Sequence, residues 1–131
     1  MNPLANRFDH IVLTVNDIDT TSKFYERVLG FEKEVFPGSD GTLRYALRFG
    51  KNKINLQDRA TGVVNKAQSP TFGSGDFCLI AAVPLEQLLA HLRAENVLIE
   101  AGPVKRRGAA GQTRSVYFRH PDAIWSKFRT I

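Results

Sequence analysis

At 131 residues, with 43% apolar content, 10 Gly and 6 Pro, the chain has enough substance for one domain or two small modules and is too apolar to be disordered. A lone Cys78 excludes an intramolecular disulfide, and the start lacks a signal-peptide core. No apolar run is long enough to span a bilayer, so the cytoplasm is the default location.

Phe8 to Val15 is apolar and β-branched and ends at the polar Asn16-Asp17, which predicts a strand followed by a helix cap. Phe24, Val28 and Leu29 recur at helical spacing and Gly30 closes the helix. Phe31 to Phe36, Leu43 to Phe49 and Lys53 to Gln57 then read as three strands, with turns at Pro37-Gly38-Ser39-Asp40-Gly41 and Gly50-Lys51-Asn52. The first module, about residues 7–58, is therefore β-α-β-β-β, and about residues 59–75 form a linker.

The second module, about residues 76–131, repeats that order with little identity. Asp76 to Val83 is an apolar strand, and a buried, inert Cys78 is expected within it. Pro84-Leu85-Glu86 opens a helix carrying Leu88, Leu89 and Leu92 to about Asn96. Val97 to Glu100 reads as a short strand, Thr113 to Arg119 alternates strongly, and Ala123 to Ile131 makes the last strand after the His120-Pro121-Asp122 turn. Laying His10 on Asp76, 66 residues on, brings the two halves into step. The net charge of +5 is scattered, with one cluster at Lys105-Arg106-Arg107. No recognition-helix, zinc-finger or aromatic-platform signature accompanies it, so it reads as a solvated basic surface and not a nucleic-acid footprint.

With its two β-α-β-β-β modules, the chain resembles the vicinal oxygen chelate superfamily of glyoxalases, extradiol dioxygenases and fosfomycin and bleomycin resistance proteins. It is most similar to the small glyoxalase-domain proteins. The stretches that carry the likeness run from Phe8-Asp9-His10 through Val28-Leu29-Gly30, Lys53-Ile54-Asn55-Leu56, Pro84-Leu85-Glu86 and Glu100-Ala101-Gly102-Pro103-Val104 to Ser115-Val116-Tyr117-Phe118-Arg119. The resemblance implies an α+β fold of paired curved mixed sheets with helices outside, and a homodimer. It also implies a divalent ion (zinc, nickel, manganese or iron) acting as a Lewis acid in a lyase or dioxygenase reaction.

Carried over position by position, the resemblance makes His10, Asp76 and Gln57 the candidate metal ligands. His10, Asn55, Gln57, Asp76, Trp125 and Lys127 become the candidate pocket. The departure lies at the end. Relatives finish on a run like Asp-Pro-Asp-Gly-Asn-Leu-Ile-Glu-Val-Ser, whose glutamate is a regular ligand, and here Lys127 holds that slot. An ammonium group has no lone pair for a metal and repels it. The residues from Ala123 onward can be encoded GCA-ATC-TGG-TCG-AAG-TTT-CGG-ACA-AT. With one G restored in front, that string reads Gly-Asn-Leu-Val-Glu-Val-Ser-Asp-Asn, the family ending. A single-base deletion in the gene is the hypothesis, and a coding sequence that cannot be shifted into that ending would sink it.

Three functions remain open from the sequence. One is a metal-dependent lyase or oxygenase. Another is a metal-free protein that sequesters a small molecule, for which the basic charge favours an anionic ligand over the cationic bleomycin. The last is a member without chemistry, stable through its dimer interface.

Overall fold

The polar Asn16-Asp17 step stops the first strand and starts the first helix. Asp17 is extended (φ −142°), its carboxylate accepts from the Asp19 backbone N–H and the Thr20 hydroxyl, and the helix begins at the next residue. The computed structural model describes residues 2–61, 66–108, 111–121 and 125–129, and the chain divides into two units, Met1–Pro70 and Thr71–Ile131.

In the first unit, strand β1 (Ile11–Thr14) leads to helix α1 (Ile18–Phe24), which runs on as a π-helical turn over Tyr25–Leu29. Gly30 ends it in the left-handed region (φ 70°), which a side chain would oppose. Strands β2 (Glu32–Pro37), β3 (Leu43–Phe49) and β4 (Asn52–Gln57) complete a sheet of order β1-β4-β3-β2. The β1–β4 pair is parallel and the other pairs are antiparallel. The α1 side of the sheet is the core. Leu13, Val15, Ile54, Leu56 and Leu47 are buried there, as are Tyr25 and Val28 from the helical segment. A ring stack through Tyr25, Phe31 and Phe49 binds helix, connection and sheet.

The second unit repeats the plan. Strand β5 (Asp76–Ile80) leads to α2 (Leu85–Ala94), then to β6 (Ala101–Gly108), β7 (Gly111–Arg119) and β8 (Trp125–Arg129), in the order β5-β8-β7-β6. Leu85, Leu88, Leu89 and Leu92 form one buried stripe of α2, while Val116, Phe118 and Phe128 are the buried residues on the sheet face that also carries Phe77 and Leu79. Each unit is thus a four-stranded mixed sheet with one helix, the expected α+β class. No helix among the described residues is long and apolar enough to cross a membrane.

Three sequence expectations are corrected. The first strand is shorter than Phe8–Val15, because only Ile11–Thr14 find partners on β4, and His10 precedes it. Val97–Glu100 is not a strand. Pairing with β7 begins at Ala101, and the Gly102-Pro103 step lies within β6 as an irregularity in register between Ala101 and Val104. Gly102 is needed there: its φ is +101°, and a Cβ would lie 2.4 Å from the Ser115 carbonyl oxygen. Cys78 is exposed, because alternation turns Phe77 and Leu79 inward and leaves the thiol on the other face.

Candidate functional site

Alternation gives each sheet a face packed by its helix and a second face that carries most of the polar side chains. On that second face of the first unit, the pairs Val12–Asn55 and Thr14–Gln57 stand side by side, with Ala46 next to Asn55. Gln57 is buried and its Nε2 donates to Thr14 Oγ1 at 3.0 Å. Asn55 Oδ1 is buried with no hydrogen-bond partner among the described residues. His10, two residues before Val12, falls on the same face by alternation. It is exposed, and its Nδ1 lies 2.7 Å from Asp9 Oδ2. That hydrogen bond, with the charge of the imidazole, lowers the Asp9 carboxyl below its usual value. The first unit therefore gathers His10, Asn55 and Gln57 on one face.

In the second unit Asp76 opens β5 and Lys127 lies in β8, with Lys127 Nζ 3.5 Å from Asp76 Oδ1. The Trp125 backbone pairs with Asp76, and the Trp125 side chain lies outside the described residues. Two rows cross the sheet on this face: Cys78, Lys127 and Tyr117, then Ile80, Arg129 and Ser115. Burial pushes the Cys78 thiol up, and Arg129 and Lys127 oppose that shift more weakly. Ser115 is fully buried and its hydroxyl has no partner among the described residues.

Arg129 and Ser115 were not among the residues the sequence singled out. A signal was present: Arg129 follows Lys127 by two in a strand, and Ser115 precedes Tyr117 by two.

The two units can be aligned on one bond. The Val15 N–H donates to the Gln57 carbonyl at 2.8 Å, and the Ala81 N–H, 66 residues on, donates to the Arg129 carbonyl at 2.8 Å. Gln57 therefore matches Arg129, and Asn55 matches Lys127. Where the first unit carries two amides, the second carries two cations.

The donors do not suit a divalent metal. Among the described residues no three His, Cys, Asp or Glu side chains gather into a metal-binding group. Of the candidate ligands, Gln57 offers only an amide oxygen, which leaves His10, through the Nε2 that Asp9 does not engage, as the one good nitrogen donor. The Asp76 carboxylate already faces an ammonium group. A doubly charged ion about 4 Å from that ammonium would meet about 2 kcal/mol of repulsion even at the dielectric of water, and more in a half-buried setting.

Comparison with known proteins places this geometry. The family described as Glyoxalase/Bleomycin resistance protein/Dioxygenase superfamily matches residues 7–128. Virulence protein STM3117 of Salmonella typhimurium is 43% identical over 119 residues, which cover 91% of this chain and 80% of that protein. Its crystal structure superposes with a TM-score of 0.87 over 98% of both chains. A solved structure from the mobile metagenome of V. Pseudocholerae, VPC_CASS1, is 42% identical, with a TM-score of 0.91 over 99% of this chain and 98% of that one. TnmS3, an antibiotic binding protein from Streptomyces sp. CB03234, is 17% identical with a TM-score of 0.75 over 98% of each chain, a likeness of fold alone.

Proposed function

The chain belongs to the Glyoxalase/Bleomycin resistance protein/Dioxygenase superfamily, and from that premise we propose that it is a small-molecule binding protein of the resistance type, descended from a metal-dependent lyase or dioxygenase whose metal site has degraded here. The observation that carries this reading is the Lys127–Asp76 ion pair. An ammonium group stands beside the one carboxylate of the candidate ligand set, so charge and hydrogen bonding that would serve a metal are taken up within the protein. The polar faces remain, with the buried Asn55 oxygen lacking a partner among the described residues. Groups of that kind recognise ligands by hydrogen bonds. TnmS3, of the same fold, is an antibiotic binding protein, which supports sequestration as a use for this fold.

The test is metal content after purification without chelator, followed by a thermal-shift survey of small molecules. Sub-stoichiometric metal and a melting temperature that rises with ligand concentration are expected. One tightly held zinc, nickel, manganese or iron per chain would return the reading to a lyase or dioxygenase. We further propose a homodimer, for which light scattering should give twice the 14.6 kDa of one chain. A species of 14.6 kDa alone at micromolar concentration would refute it.

A further inference from the structure

On the second unit's sheet, the face turned away from the α2 core carries a charge pattern of its own. Lys127 and Arg129 stand two residues apart on β8, so their side chains leave the same side of the sheet, with Cα atoms about 7 Å apart. Each lies between neighbours on β5 and β7: Lys127 between Cys78 and Tyr117, Arg129 between Ile80 and Ser115. Lys127 is only 25% exposed and Arg129 is half-buried. Asp76, which opens β5, bonds Lys127. At the edge of the same face, Arg119 is paired with Glu100 at 3.1 Å.

Beside Arg129, the Ser115 hydroxyl is fully buried and lacks a partner among the described residues. A hydroxyl can donate one hydrogen bond and accept others, and Ser115 spends none of that capacity on a partner among the described residues. Long flexible cationic side chains with a donor hydroxyl at their base suit one kind of chemical group, a negatively charged oxygen centre that accepts several hydrogen bonds at once.

We infer that this face of the second unit binds the oxyanion of a small molecule, a carboxylate or a phosphoryl group, through Lys127, Arg129 and the Ser115 hydroxyl. The inference rests on the small-molecule binding reading above and names the chemistry of the ligand. The first unit offers nothing equivalent at the matching positions, since Asn55 and Gln57 are neutral there. A cationic ligand would face two like charges.

Cys78 is the only thiol in the chain and neighbours Lys127 across the β5–β8 pair, which makes it a reporter at the site. Its alkylation by iodoacetamide, a neutral reagent, is measured at fixed pH and ionic strength with inorganic phosphate, with succinate, and with chloride alone. Either phosphate or succinate slows the reaction relative to chloride, by about threefold at twice its Kd, and the effective anion identifies the oxyanion class. The ratio of rates with and without anion is read, because removing a cation also alters the thiol itself. In the Lys127→Gln/Arg129→Gln double variant that ratio returns to one. Arg129→Lys retains part of the protection, which separates loss of charge from loss of fold, and melting curves accompany each variant. A ligand from the thermal-shift survey that binds the double variant as tightly as the native chain, with no protection by either anion, overturns the oxyanion assignment and leaves the binding reading standing. No shift with any compound and no protection overturns both.

Discussion

Both units close their sheets with the same backbone bond, Val15 to Gln57 in one and Ala81 to Arg129 in the other, and each buries one face of its helix, mixed in the first unit and all leucine in the second. What differs is the opposite face. The first unit keeps short, neutral amides and a bonded Thr14–Gln57 pair, while the second sets a lysine and an arginine at the matching places. The scaffold is held by the helix side and by main-chain pairing, which do not depend on what the other face carries. That face can therefore lose metal ligands, or gain cations, without losing the fold.

The comparison breaks most sharply at the glycines. Gly102→Ala should cost the second unit about 3 kcal/mol or more, because the new methyl meets the Ser115 carbonyl and the backbone is left-handed. Gly30→Ala in the first unit meets nothing within 4 Å and should cost only the conformational penalty, about 1 kcal/mol. Urea unfolding of both variants measures the contrast, and equal losses would mean the close approach at Gly102 relaxes away.

Acid should act on the second unit. His120 is buried, stacked on Phe118 and edge-on to Phe77, and burial lowers its imidazole from 6.5 to about 3. Between those values the unfolded chain takes up a proton that the folded chain refuses, so stability falls as pH falls. At two units below 6.5 the loss is about 3 kcal/mol. His120→Phe should flatten that part of the stability–pH profile, and an unchanged slope would place the proton uptake elsewhere.

Lys127→Glu sharpens the metal question. Replacing the ammonium beside Asp76 with a carboxylate should raise zinc affinity at least about tenfold, or about 1.4 kcal/mol, by calorimetry at one pH. Equal affinities in the two proteins would show that Asp76 cannot build a site even when the repulsion is gone. The smallest effect belongs to the first helix. Asp17→Ala removes a side-chain cap and should cost about 1 kcal/mol, whereas α2 starts after Pro84 with no side-chain cap to lose.

The fold was legible because strand and helix periods differ. Alternation marked Leu43–Phe49 and the leucine spacing marked α2, and the 66-residue step survives as the Val15 and Ala81 bonds. Boundaries were less so. Phe8 to His10 has strand composition but no partner on β4, and pairing is a property of two segments. The candidate site was legible only as far as the family pattern reached. Cys78 has the same apolar neighbours whether it faces in or out, so its exposure required knowing which side α2 covers. Ser115 looked like an ordinary polar step in an alternating strand, and the burial of its hydroxyl, without a partner among the described residues, shows only once β6 and β8 flank it.

The strand that completes each sheet is an inner one. β4 sits between β1 and β3, and β8 sits between β5 and β7. During synthesis, then, a unit that has made three of its strands still has a gap in the middle of its sheet and an unpaired first strand. The first unit can fill that gap once Gln57 is made. The second waits for Arg129, 72 residues later, with the β5 edge and the apolar α2 stripe meanwhile lacking their lid. The strand that joins β5 to β7 is thus also the last of the second sheet to be made.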